Sequence, residues 1–294
     1  MKILVVGASG FLGKKAVEIF EKKHSVAGTS LLRSDYTFSR LDIANKEDVK
    51  KFLDEYNPDL VFNAAAVVDV DLCEQDKYKS WNVNVNGPLY LAELCSGKKI
   101  KLVVISSDYI FSGDNLSYKE NDIAHPKSFY GFTKSIMEKT VLFVNPNALI
   151  IRLPIIYGYN NDGTGDKLVM PVIKSLREDK EVIIEDFRIK YPVLADDVIE
   201  NAMRLIERNE RGIFNFSSDK ALTRFDMANV VANIFALDKK LIKNGKEKNF
   251  LLKPKEVKLI NTKDKSLKFV SFKEGVEIIN KQMSMYRKGF NITP

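Results

Sequence analysis

At 294 residues, with 45% hydrophobic and 29% charged side chains, the chain is suited to an ordinary globular fold with a sizeable core, in one large or two smaller domains. No apolar run approaches the roughly 18 residues of a membrane span, and Cys73 and Cys95 show no C-x-x-C spacing; membrane insertion, a disulfide framework and a cysteine zinc site are not expected, and a reducing cytoplasm is. The net charge of +7 is uneven, with 15 Lys/Arg against 5 Asp/Glu between Lys239 and Pro294, but no helix-turn-helix, zinc finger or aromatic RNA motif accompanies it, so this basic end reads as solvated surface or as an attractor of an anionic ligand, not as a nucleic-acid site.

The chain opens on the apolar run Ile3 to Val6, which leads into a glycine-rich turn and not into a leader-peptide cleavage site. Short β-branched runs then alternate with helical patterns, as in a parallel sheet flanked by helices. The predicted strands are Lys2 to Val6, Ser25 to Thr29, Leu60 to Asn63, Leu102 to Ser106 and Ala148 to Leu153. The predicted helices between them are Phe11 to Lys23, Lys46 to Tyr56, Lys77 to Ser96 and Ser128 to Val144. Beyond Pro154 a turn-rich stretch, Tyr157 to Gly165, precedes a predicted helix from Pro171 to Lys180. A further helix, Asp196 to Arg208, leads to a strand at Ile213 to Phe216, and a helix with Thr223 as N-cap and Asp226 at its third position follows. The expected fold class is therefore α/β: a Rossmann doubly wound parallel sheet (residues 1–153 and 196–218) with a smaller interleaved α+β domain for substrate (154–195 and 219–294).

Gly7-Ala8-Ser9-Gly10-Phe11-Leu12-Gly13 follows the first strand and opens the first helix. Gly7 permits a tight turn, Gly10 lets the backbone approach a pyrophosphate, Gly13 allows close packing, and the amides at the helix start attract phosphate. This G-x-x-G-x-x-G spacing in strand–turn–helix context predicts a dinucleotide site. The second strand ends Gly28-Thr29-Ser30-Leu31-Leu32-Arg33 without the acid that holds the ribose of NAD. Arg33, with Thr29 and Ser30, suits the extra phosphate of NADP(H), with NAD(H) as the other candidate.

Tyr130 and Lys134 stand four residues apart on one helical face. A phenol with a pKa near 10 needs help to exchange protons at neutral pH, and an ammonium beside it lowers the cost of the phenolate. Upstream, Ser107 follows a strand and presents a hydroxyl at the sheet's ligand edge, where it can bond a substrate carbonyl. With only His24 and His125 in the chain, a histidine triad or metal cluster is not expected.

With phosphate turn, strand-end serine and Tyr/Lys pair in this order, residues 1 to about 280 resemble the extended short-chain dehydrogenase/reductase family. The resemblance implies that Asn63, Ala64 and Ala65 line the cofactor after the fourth strand, that Asp42 and Ile43 contact adenine, and that Asn84 supports a water chain at the active site. Within the family the sequence is most similar to dTDP-4-dehydrorhamnose reductases and to the regulatory β subunit of methionine adenosyltransferase. The residues that carry this are Val70-Asp71 with Glu74, Ser106 to Phe111, Tyr118 to Glu120, Tyr130 to Lys134, Arg188 to Asp197 and Leu222 to Met227. The reductase likeness implies NADPH-dependent reduction of a nucleotide-diphosphate sugar. The alternatives are an NADP-binding regulatory subunit and another nucleotide-sugar epimerase or reductase. Asp108 is followed by Tyr109 where a 4,6-dehydratase carries Glu, which argues against dehydration. Ile155 stands where the bacterial reductases tend to carry Trp, which resembles the regulatory subunit instead. A homodimer is common in the family, but no residue here demands one.

Overall fold

The computed structural model describes residues 1–31, 38–245 and 250–289. Arg33, on which the NADP expectation rests, lies outside them. The first half alternates β1 (Lys2–Val6), α1 (Phe11–Phe20), β2 (Ser25–Ser30), β3 (Ser39–Arg40), α2 (Lys46–Tyr56) and β4 (Leu60–Asn63). Two short helices, α3 (Val70–Gln75) and α4 (Lys77–Trp81), run into a widened π turn at Asn82–Asn86 and then α5 (Gly87–Lys98), β5 (Lys101–Ser107), α6 (Phe129–Val144) and β6 (Leu149–Leu153). The second half holds β7 (Ile156–Tyr157), α7 (Val169–Arg177), β8 (Val182–Ile184), β9 (Val193–Leu194), α8 (Ala195–Glu207) and β10 (Gly212–Asn215), then α9 (Arg224–Ile234), β11 (Ile242–Asn244) and α10 (Phe272–Gly289).

Seven strands form one parallel sheet in the order β10-β6-β5-β4-β1-β2-β3. This is the Rossmann-like arrangement the alternation predicts. Its strands are apolar on both faces because helices cover both. Along β1, Ile3 and Val5 pack with Leu12, Ala16 and Phe20 of α1 and with Val198 and Leu205 of α8. Leu4 and Val6 point the other way, toward Val49 and Leu53 of α2, Leu91 and Cys95 of α5 and Met137 and Val141 of α6. A third apolar cluster joins Tyr157, α7, α9 and α10 away from the sheet. The two-stranded pairs β7-β9 and β8-β11 were not legible as strands, being two or three residues each.

Three predicted elements differ at their ends or inside. The helix expected to reach Lys23 stops at Phe20, its last buried residue, since Glu21 to Lys23 are exposed and give nothing to pack. The helix expected from Pro171 begins at Val169, because Asp166 accepts from the amides of Leu168 (2.5 Å) and Val169 (2.6 Å), and Pro171 is tolerated in the first turn. The single helix expected over Lys77 to Ser96 runs without interruption to Lys98, widened by a π turn at Asn82–Asn86. The capping box of α9 is present in both halves, with Asp226 N donating to Thr223 Oγ1 (3.1 Å) and Thr223 N to Asp226 Oδ2 (3.0 Å).

Candidate active site at the sheet switch point

The strand order reverses between β1 and β4, and ligands of open α/β sheets bind in the crevice beyond the strand ends at that point. Gly7 sits there with φ +82, its Cα so close to the chain after β4 that a Cβ would lie 2.6 Å from Ala65 N. Its amide and that of Ala8 donate to Thr29 O at the end of β2 (3.1 and 2.8 Å). Gly13 is equally constrained, since a Cβ would lie 2.1 Å from Gly7 O. At Gly10 a Cβ would meet only Gly7 O at 3.3 Å, so this glycine opens a concavity instead of filling one. The first helical bond of α1 runs from Lys14 N to Gly10 O (2.9 Å), which leaves the amides of Phe11, Leu12 and Gly13 facing out of the helix end. Such a cradle fits a pyrophosphate. Ser9 Oγ and Ser30 Oγ lie 2.9 Å apart across its rim, and Thr29 Oγ1 is buried without a hydrogen-bond partner among the described residues. Asp42 Oδ1 accepts from Ala44 N (2.9 Å), and Ile43 packs on Gly87 of α5. Asn63 Oδ1 accepts from Ala65 N (3.1 Å), shaping the turn that carries Ala64 and Ala65 beside Gly7.

On the far side of the crevice α6 brings Tyr130 and Lys134 to the end of β5. Ser128 caps the helix through Gly131 N (3.2 Å), and Glu74 of α3 accepts from Phe129 N (2.6 Å). Gly131 lets the helix press on the turn after β5, where a Cβ would lie 2.1 Å from Tyr109 O. One turn beyond Lys134, Glu138 accepts from Arg152 of β6 (Nε to Oε1 3.0 Å, Nη2 to Oε2 2.8 Å) and from Ser106 Oγ (2.5 Å). All these groups are buried. The phenol of Tyr130 lies close enough to Ser107 for that hydroxyl to ease its ionisation, and Ser107 Oγ donates to Asp108 Oδ1 (3.2 Å).

Lys134 Nζ donates to Ile105 O (2.9 Å). Burial pushes its pKa down to about 8, against the pull of the Glu138 carboxylate. Burial pushes the Tyr130 phenol up, Ser107 partly opposing it. The Lys134 ammonium faces the backbone carbonyl of Ile105. Asn84 is likewise committed: its amide clamps Val67 on both sides, accepting from Val67 N (2.8 Å) and donating to Val67 O (3.0 Å), and donates to Thr133 Oγ1 (3.2 Å). This bidentate grip sits in the middle of the π turn, and such turns often mark functional sites.

The sequence reading did not find the Glu138–Arg152–Ser106 support, although Glu138 follows Lys134 at the i+4 spacing that would have flagged it. Nor did it single out Lys190, which approaches Asp108 from the segment between β8 and β9. It stands within the Arg188 to Asp197 stretch that carries the family likeness, but nothing local distinguishes it there.

Parallel sheets of this order, with a glycine turn at the switch point and a serine, tyrosine and lysine converging on it, are those of extended short-chain dehydrogenase/reductases, and the chain is an oxidoreductase of that class. Within it the chain belongs to the RmlD substrate-binding domain family, whose model matches residues 1–283. It is similar to the probable low-salt glycan biosynthesis reductase Agl14 of Haloferax volcanii, with 34% identity over 83% of this chain and 84% of that protein. It is similar also to the β subunit of methionine adenosyltransferase 2 from Rattus norvegicus, at 28% identity over 80% of this chain and 72% of that protein. Among solved structures, a dTDP-4-dehydrorhamnose reductase from Clostridium acetobutylicum superposes with a TM-score of 0.84 at 27% identity, covering 97% of this chain and all of the other. A Bacillus anthracis dTDP-4-dehydrorhamnose reductase in complex with NADP shares the fold, with a TM-score of 0.86 at 23% identity over 96% of this chain and 99% of that one.

Proposed function

We propose that the chain reduces a nucleotide-linked 4-keto-6-deoxysugar with NADPH, as a dTDP-4-dehydrorhamnose reductase does. The observation that carries this reading is the meeting of Ser107, Tyr130 and Lys134 at the carboxyl edge of the sheet, across the crevice from a glycine cradle open at Gly10. Gly7, Ser9, Gly10, Phe11, Leu12 and Gly13 would hold the pyrophosphate, Thr29, Ser30 and Arg33 the adenosine phosphate, Asp42 and Ile43 the adenine, and Asn63, Ala64 and Ala65 the inner wall. When bound, the cofactor supplies a hydride to the keto carbon. Ser107 would hold the carbonyl oxygen, Tyr130 would donate its proton to the oxygen as negative charge develops there, and Lys134 would turn from Ile105 O toward the ribose and the phenol. Asn84 would serve by holding the Val67 turn against the nicotinamide side of the crevice. In this reading residues 1–153 and 196–218 bind the cofactor, residues 154–195 and 219–294 bind the sugar, and the protein works in the cytoplasm. No helix among the described residues is long and apolar enough to cross a membrane.

The test is a screen of dTDP-, UDP- and GDP-linked keto sugars with NADPH and with NADH. Cofactor oxidation with one of them, faster with NADPH than with NADH and lost in Tyr130→Phe, is expected. No turnover with any of them, together with co-purification of a methionine adenosyltransferase, would overturn the reading in favour of a regulatory subunit.

A further inference from the structure

Lys190 is a charged side chain to which the proposed reduction gives no task. It is 5% exposed, and its Nζ has no hydrogen-bond partner among the described residues. Its surroundings are those of the catalytic edge. The Nζ lies 5.1 Å from the centroid of the Tyr109 ring, and the Tyr109 and Tyr130 rings meet edge to face with centroids 5.8 Å apart. Burial pushes the Lys190 amine below its ordinary value, and the carboxyl of Asp108, next to Ser107 in the chain and itself buried, is the largest influence opposing that. Burying an ammonium without an acceptor is costly, and an unsatisfied buried group of this kind in a native fold calls for a reason such as a ligand that completes it.

We infer that Lys190 is a substrate-recognition residue, donating to the hydroxyl of the sugar ring carbon beside the keto carbon. The inference rests on the nucleotide-sugar reading above and specifies which part of that substrate is read. With the keto oxygen held by Ser107 in that reading, the acceptors left for the amine beside Asp108 are a neighbouring ring hydroxyl or a diphosphate oxygen. A diphosphate placed against Lys190 would also meet Asp108, which repels it when ionised. The guanidinium groups of Arg224 and of Arg188, the latter paired with Glu185, act electrostatically on both Tyr109 and Lys190, so an anion has positive charge nearby without approaching that carboxyl. A hydroxyl satisfies both groups at once, accepting from Lys190 through its lone pairs and donating its proton to Asp108. A site built this way rejects an analogue without the hydroxyl far more strongly than an apolar pocket distinguishes shapes, because the buried donor is left unpaired.

Calorimetric binding of dTDP-glucose, dTDP-3-deoxyglucose, free dTDP and their UDP counterparts, each in the presence of NADP, tests this in the wild type and in Lys190→Met. The wild type is expected to bind the 3-hydroxylated sugar roughly tenfold or more tightly than its 3-deoxy analogue. Lys190→Met is expected to bind both sugars alike, with affinity for free nucleotide and for NADP unchanged. Equal binding of the two sugars by the wild type would overturn the inference and leave the nucleotide-sugar reading standing, and this arm decides the matter even if the variant fails to fold. Loss of free-nucleotide affinity in Lys190→Met would place the contact on the diphosphate and overturn it too. A wild type that binds no nucleotide sugar overturns the reading, and the inference with it.

Discussion

Burial works against Tyr130 and Lys134 in opposite senses, raising the phenol and lowering the amine, because each resists the form that carries charge. In the proposed reduction the tyrosine acts as the acid and therefore starts protonated, which a raised pKa favours. Replacing Tyr130 by Phe removes that proton and is expected to lower kcat by about 10²–10⁴-fold, with NADPH affinity, read by fluorescence titration, unchanged. The lysine supplies the pH dependence. With a pKa of about 8 it is an ammonium at pH 7 and loses its proton as pH rises through about 8, so kcat/KM for the keto sugar should fall above that pH. The same shift sets a stability trend: between about 8 and the ordinary value of 10.5 the unfolded chain holds a proton at Lys134 that the folded chain has released. Through that window this residue makes the ligand-free protein more stable as pH rises, which Lys134→Met should abolish in Tm measured against pH.

At the scale of elements, α6, which carries Tyr130 and Lys134, is fixed at its start by groups outside the proposed substrate site. Its start is held by Ser128 and Glu74 and pressed onto the turn after β5 at Gly131. Gly131→Ala puts a methyl where only 2.1 Å separates it from Tyr109 O, so the helix must lift away. The expected outcome is a fall in kcat with NADPH binding retained, since the phosphate turn lies on the other side of the crevice. The π turn before α5 depends on Asn84 in the same local way. Asn84→Ala leaves the half-buried amide of Val67 without its acceptor and its carbonyl with only the Cys73 thiol (3.4 Å), at about 1–3 kcal/mol for the group left unpaired, and Tm should drop. Asn84→Asp keeps the acceptor for Val67 N but sets a carboxylate oxygen against Val67 O, so it should not restore the wild-type Tm. A wild-type melting curve for either variant would show the clamp to be incidental.

Across the whole molecule, one chain of polar groups, buried up to the exposed Thr262, ties the sheet to the later segments. Arg152 of β6 joins Glu138 of α6 and donates to Glu120 O (3.1 Å), while the Glu120 carboxylate accepts from Thr262 Oγ1 (2.7 Å) and Thr262 N (3.2 Å) and, through Oε1, from Asn215 N of β10 (3.3 Å). Removing one partner of a buried ion pair leaves the other charge uncompensated and costs about 3–5 kcal/mol. Arg152→Met should therefore destabilise the protein to urea by that amount, as a single shift of the unfolding midpoint if sheet and later segments unfold together. Two separated transitions would show that they unfold independently. Lys15, wholly buried on α1, makes a similar tie by pairing with Glu18 (3.2 Å) and with Asp196 of α8 (3.6 Å).

Local sequence determined much of this protein. Apolar runs with β-branched residues dictate buried strands, charged residues at helical spacing dictate amphipathic helices, and Gly7, Gly10 and Gly13 mark the phosphate turn, since each of these signals rests on residues a few positions apart. Tyr130, Lys134 and Ser107 were legible for the same reason, as a helix face and a strand end. Tertiary structure alone decided what lies between distant segments: that Arg152 meets Glu138 and the Glu120 carbonyl, that Asn84 grips Val67 in a widened helix, and that Lys190 comes under the influence of Asp108 with no hydrogen-bond partner among the described residues. Those pairings depend on how the sheet and its helices close in space. A charged or amide side chain carries no mark of its eventual partner until packing brings the two together and removes water from between them.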